Sequence, residues 1–155
     1  INQEFFQVGG GRFLLTTVSV ALYLDGRLHV ISAGDSPVYV INADSHQQLS
    51  GRVGGFLHVG VAQAIGATNE LKNLRRVEAG IEPGTRLVLA TDGVSDNLTL
   101  AELVESVRKS STPDDASQRI NNAVAARIEE GVLPEALGGR FRHDDRTAIF
   151  RFFDS

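Results

Sequence analysis

Cysteine, methionine and tryptophan are missing altogether from the 155 residues, and there are only four prolines. Without cysteine there is no disulfide framework, no thiolate metal site and no cysteine nucleophile, so any metal has to sit on oxygen or imidazole ligands. A reducing compartment is permitted. No apolar run approaches the roughly 20 residues that a bilayer-spanning helix needs, and the first residues lack the basic-then-apolar order of an export signal. Also lacking is any Lys/Arg run: 15 basic against 19 acidic side chains leave a formal charge of -4, without the electrostatic footprint of a nucleic-acid binder. These absences lead to the expectation of a soluble, cytoplasmic protein that crosses no membrane and binds no DNA or RNA. Ile1 in first position, in a chain with no methionine, points to a cut, processed or incomplete polypeptide.

What is present is ordinary for a globular domain. Hydrophobic residues make up 42% and charged ones 22%, enough to bury a core in a single domain spanning residues 1–155. In residues 13–24, FLLTTVSVALYL, the alternation sets Val18, Val20, Leu22 and Leu24 on one face of a half-buried strand. Asp25-Gly26 then suits the positive φ angles of a tight hairpin turn into a second strand. Strands are also predicted around 38–41, 74–79, 86–90 and 147–153, with a loop over 42–60 that holds a short strand near 56–59. Thr99-Leu100-Ala101-Glu102 is a capping box opening a helix to about Lys109. A second helix starts at Thr112-Pro113 and ends at Gly131. Strands, then two helices, then a strand suit an α+β layered arrangement of antiparallel sheets better than a parallel doubly wound one.

Two acidic segments carry candidate chemistry. Asp92 follows the most apolar strand and precedes Gly93, so its carboxylate leaves the sheet at a rim open to solvent. Asp144 and Asp145 immediately precede another apolar strand, and adjacent carboxylates repel unless a cation, an arginine or solvent offsets them. A hard divalent ion, Mg²⁺ or Mn²⁺, suits such oxygen donors, and no HExxH pairing argues for zinc. Taken singly, each segment is better explained as a solvated turn.

Taken in order, four segments resemble the PPM (PP2C-type) protein serine/threonine phosphatases. Val30-Ile31-Ser32-Ala33-Gly34-Asp35-Ser36-Pro37-Val38-Tyr39 is similar to that family's vGDSRaY turn, and Ala64-Ile65-Gly66 to its ALG segment. Residues 84–96, with Ala90-Thr91-Asp92-Gly93 at their centre, resemble GDxLLLCSDGLxD, and Asp144-Asp145-Arg146-Thr147 resembles the closing DNxT or DDxT strand. The DD form is similar to the SpoIIE and RsbU-like bacterial branch.

The resemblance implies an α-β-β-α layered sandwich and hydrolysis of phosphoserine or phosphothreonine by water activated on two Mg²⁺ or Mn²⁺ ions, with a third, weaker ion in some bacterial members. Carried over by motif, Asp92 and Asp144 are ligands of the core pair and Asp35 a ligand of the third ion. Asp145 and Gly93 stand beside the ligands, and Asp96 is either a similar orienting group or an exposed helix-proximal acid. His143, with Arg142 and Arg140, either faces the phosphate dianion or balances a dense acidic loop. The implied partners are a phosphoprotein substrate and a cognate Ser/Thr kinase. The family's ADGMGGH-like turn and phosphate-binding arginine do not occur, so the expectation is a domain incomplete at its N-terminus and weak or inactive alone. The interval between Ile41 and Ala64 is too short for a full flap subdomain. The alternative is a non-catalytic PP2C-like module that binds a regulator or a phosphoprotein.

Overall fold

The computed structural model describes residues 1–51, 64–72, 74–131, 137 and 143–154. They gather into two compact units: Ile1–Val38 with Leu49–Ile81, and Tyr39–Gln48 with Glu82–Ser155. The strand expected near 56–59 lies outside the described residues.

The first unit opens with helix α1 (Asn2–Gly9), which the sequence pattern did not disclose. Asn2 fastens it: its Nδ2 donates to the carbonyls of Thr68 and Asn69 at 3.0 and 3.1 Å, and its Oδ1 accepts from Gly66 N at 2.8 Å. Strand β1 (Val18–Leu24) pairs along its whole length with β2 (Arg27–Ala33), from Val18↔Ala33 to Leu24↔Arg27. Asp25 and Gly26, at φ 49° and 76°, make the positive-φ hairpin that the Asp-Gly pair predicts. On the other side of β2 runs antiparallel β5 (Arg75–Gly80). The extended run read from residue 13 starts only at Val18, because Gly9 O accepts from the amides of Arg12 and Phe13 and turns the chain there.

The face of β1 is also inverted relative to simple patterning. Val20, Leu22 and Leu24 are exposed while Ser19 and Ala21 are half-buried. Register explains it: Ser19 and Ala21 lie opposite Ser32 and Val30, which are buried, whereas Val20 and Leu22 lie opposite exposed Ile31 and half-exposed His29. Shape and burial of the partner strand set which face goes in, and polarity alternation alone could not.

The second unit contains a four-stranded antiparallel sheet in the order β4-β3-β6-β7, from β3 (Val38–Ile41), β4 (His46–Gln48), β6 (Thr85–Ala90) and β7 (Ala148–Phe153). Polar β4 falls within the interval read as loop; it is held by pairing to β3 rather than by apolar content. Helices α2 (Asp92–Ser95), α3 (Leu100–Arg108) and α4 (Pro113–Glu130) complete the unit. Its core joins Tyr39, Ile41 and Val88 of the sheet to Leu103 and Val107 of α3 and to Ile120 and Val124 of α4. The α+β arrangement of antiparallel sheets expected from the sequence is therefore present.

Local chemistry sets the helix ends as expected. At α3, Thr99 N and Oγ1 both donate to Glu102 Oε2 at 2.8 Å, and Glu102 N returns a bond to Thr99 Oγ1 at 3.2 Å. Thr112 Oγ1 accepts from Asp115 N at 3.1 Å at the start of α4, and Gly131 ends it at φ 65°. Thr99→Ala should lower the stability of the unit by about 1 kcal/mol, read from chemical denaturation.

Glu102 also holds α4 through an ion pair with Arg127. Partial burial tends to raise its pKa, but the bonds from Thr99 and the charge of Arg127 together hold it below its ordinary value of 4.5. A folded-state pKa below the unfolded one stabilises above the unfolded value, and that contribution is lost as pH falls through the folded one. The difference in melting temperature between wild type and Glu102→Gln is thus expected at pH 7 and should shrink as pH drops below 4.5.

Candidate metal centre

Strand β6 is apolar because it lies in the middle of the sheet, with Leu87, Val88 and Ala90 all buried. Its last pair with β7 is Ala90↔Ala148. The residues after β6 and those before β7 consequently leave the sheet at the same end and side by side. Thr91 N donates to Thr147 O at 3.0 Å and Thr147 N donates to Thr91 Oγ1 at 3.0 Å. This threonine pair continues the ladder past the last strand residues and sets Asp92 next to the segment carrying Asp144 and Asp145.

Gly93 makes the approach closer still. A Cβ at this position would stand 2.3 Å from Asp145 O and 3.2 Å from Arg146 Cα, so only glycine admits the acidic loop. The other side of Gly93 is also fixed, since its carbonyl accepts from Nδ2 of Asn97, a fully buried residue, at 2.9 Å. Asp96 N donates to Asp92 O at 2.8 Å, closing the short turn of α2.

Asp92 is half-buried, whereas His143, Asp144, Asp145 and Arg146 are exposed. Asp144 Oδ1 accepts from Asp145 N at 2.8 Å, which fixes the turn between the two acids. Arg146 Nε donates to Asn121 Oδ1 at 2.6 Å and anchors the loop to α4. Asp96 is not the exposed acid that helix proximity suggested; it is only 2% exposed. Neither the threonine lock nor the Arg146–Asn121 anchor was singled out from sequence. The signal was present in threonines flanking the acidic residues at the ends of two apolar strands.

Asp35 belongs to the first unit. It is half-buried in a turn made rigid by its neighbours: Gly34 at φ 100°, Thr17 Oγ1 and Ser36 Oγ 2.7 Å apart, and Ser19 Oγ donating to Ser36 O at 2.8 Å. Arg142 lies outside the described residues. Within either unit, among the described residues, no group of three acidic or histidine side chains stands ready to hold a metal ion. Carboxylates such as those of Asp92 and Asp144 are donors of the kind that a hard divalent ion takes.

The model of the family "Stage II sporulation protein E (SpoIIE)" matches residues 1–151. No curated protein sequence matches significantly. Similar solved structures include PppA, a key regulatory component of T6SS in Pseudomonas aeruginosa, at 19% identity and TM-score 0.72 over 96% of this chain and 63% of that one. The S. agalactiae serine/threonine phosphatase gives 16% and 0.71 over 97% and 66%, and the Staphylococcus aureus serine/threonine phosphatase Stp1 gives 17% and 0.69 over 82% and 58%. At these identities the likeness is one of fold. The chain spans about three fifths of the length of the solved structures it matches. Among the described residues, no helix is long and apolar enough to cross a membrane.

Proposed function

Because the chain belongs to the SpoIIE family, with its PP2C-like phosphatase domain, we propose that it is part of a metal-dependent protein serine/threonine phosphatase that hydrolyses phosphoserine or phosphothreonine in a protein substrate. The observation that carries the reading is the close pairing of the Thr91-Asp92-Gly93 turn with the Asp144-to-Thr147 segment, held by the Thr91–Thr147 bonds. Generic solvated turns have no reason to converge with glycine-only clearance.

In this reading Asp92 and Asp144 hold Mg²⁺ or Mn²⁺, and Asp35 serves a further ion. Bound divalent ions supply a water acidic enough to attack at neutral pH and offset the charge on the phosphoryl oxygens. The protein's own part is positional. Thr91 and Thr147 fix the spacing of the two carboxylate-bearing segments, Gly93 lets them meet, and Arg146 keeps the loop against α4. Asp145 and buried Asp96 stand beside the ligands, where hydrogen bonding sets carboxylate orientation. His143, which precedes the acidic pair, would face the phosphate dianion. A cognate Ser/Thr kinase and a cytoplasmic setting accompany this role.

The test is hydrolysis of p-nitrophenyl phosphate and of a phosphothreonine peptide by the complete polypeptide, with and without Mn²⁺. Turnover that requires Mn²⁺ and is absent from residues 1–155 alone is expected. Turnover indifferent to chelator would sink the proposal, and Mn²⁺ binding without turnover would move the protein to the non-catalytic, phosphoprotein-binding role.

A further inference from the structure

Helices α3 and α4 of the second unit pack side by side and border a groove of about 460 Å³, a size within the roughly 300–1,000 Å³ of ligand clefts. Glu102, Glu105 and Lys109 recur along α3 at the three- and four-residue spacing of one helix face, and Arg119, Ala123 and Arg127 do the same along α4. Leu98, just ahead of α3, adds an apolar patch.

The two acids of the groove are already engaged. Glu102 Oε2 accepts from Thr99 N and Oγ1, its Oε1 pairs with Arg127, and Glu105 Oε1 meets Lys109 Nζ at 2.6 Å. The α4 side contributes Arg119, Asn122, Ala123 and Arg127, with no acid. Exposed arginines are ordinarily loose, but each of these is fastened to an acid that also serves a helix start. Arg119 Nε donates to Asp115 Oδ1 at 2.9 Å while Asp115 Oδ2 accepts from Ser111 N at 3.1 Å, and Arg127 Nη2 donates to Glu102, the acid of the α3 capping box. Among the described residues, the Nη atoms of Arg119 and the amide of exposed Asn122 have no hydrogen-bond partner. The groove therefore presents positioned, unused donors, and its charge is positive in excess.

We propose that the groove between α3 and α4 binds an extended acidic segment of a partner protein, with carboxylates four positions apart seated on Arg119 and Arg127 and the residue midway between them over Ala123. The planar guanidinium fork suits a carboxylate in two-point contact. The spacing follows from helix and strand geometry: eight residues of α4 separate the arginines by about 12 Å, and in an extended chain side chains four apart face the same way at about 13 Å. A small or apolar midway residue fits the methyl of Ala123, and the Asn122 amide is placed to donate to a carbonyl of the extended backbone. Asn121 of the same helix holds Arg146, so the segment docks on the element that supports the acidic loop. The proposal depends on neither metal binding nor turnover.

The test is fluorescence anisotropy of the labelled peptide Gly-Glu-Ser-Ala-Ser-Glu-Gly titrated with the complete polypeptide in chelator at low salt. Saturable binding is expected, weakened at least about tenfold by Arg119→Gln and by Asn122→Glu, which sets a carboxylate between the two guanidiniums. Asn122 is exposed and serves no bond of the fold among the described residues, so this variant should keep the wild-type circular dichroism and melting temperature even if Arg119→Gln loosens the start of α4. Gln118→Glu, the same charge change on an exposed α4 residue outside the groove, should bind as wild type does. The peptide with both glutamates replaced by glutamine should not bind, and the isomer with adjacent glutamates should bind at least about fivefold more weakly. No binding by wild type would overturn the proposal. Equal affinity in Asn122→Glu, an equal loss in Gln118→Glu, or equal affinity for either control peptide would overturn it as well.

Discussion

Asp92→Asn is expected to lower Mn²⁺-dependent phosphatase turnover of the complete polypeptide by about a thousandfold, a loss of about 4 kcal/mol of transition-state stabilisation. The amide keeps the shape of the side chain but loses the charge and one of the two oxygens that a hard ion selects. The fold should survive, since the bond that Asp92 contributes to the α2 turn comes from its backbone carbonyl, which accepts from Asp96 N. In chelator the variant should melt within about 2 °C of wild type or slightly above it, because one of the neighbouring acids no longer repels the others. With Mn²⁺ at about 100 times its dissociation constant, wild type should gain about 2.7 kcal/mol by mass action and the variant far less. A variant with normal turnover, or with the same Mn²⁺-induced rise in melting temperature, would remove Asp92 from the site.

Gly93→Ala is expected to damage both stability and activity. The added methyl would stand 2.3 Å from Asp145 O, well inside van der Waals contact. The obstructing atom belongs to the backbone, so trimming the Asp145 side chain offers no relief. Either the α2 turn, held by Asn97 on Gly93 O, or the loop held by Arg146 on Asn121 must shift. Overpacking of this kind costs about 1–3 kcal/mol, which for a domain of this size lowers the melting temperature by roughly 3–10 °C. Displacement of Asp144 from Asp92 by about 1 Å should reduce turnover of the complete polypeptide about a hundredfold. Neither thermal unfolding nor turnover should be restored by combining Gly93→Ala with Asp145→Ala. Wild-type stability and turnover in the single variant would show that the two segments do not meet as described.

Features governed by a few adjacent residues were legible before the structure. The Asp25-Gly26 hairpin, the Thr99–Glu102 box, the Thr112-Pro113 start and the Gly131 stop each depend on backbone angles or on a side chain reaching the nearest amides. Features governed by partners distant in sequence were not. Helix α1 is short and held by Asn2 on residues 66–69, and polar β4 exists because β3 lies beside it. Alternation placed Val20, Leu22 and Leu24 on one face of β1, but it reports two faces without saying which one is covered. The candidate site followed the same division. The motifs of Asp92 and Asp144 announced themselves, while the threonine lock and the clearance at Gly93 required the β6–β7 register to bring residues about 50 positions apart into contact.

The central claim is that the turn after β6 and the acidic loop before β7 form one side of a divalent-cation site. Calorimetric titration of Mn²⁺ into the complete polypeptide, wild type against the combined Asp92→Asn and Asp144→Asn variant, tests it most directly. The account predicts saturable binding in wild type that is lost in the variant, with far-ultraviolet circular dichroism unchanged. Binding of equal affinity and stoichiometry in both proteins, or no binding in wild type, would contradict it.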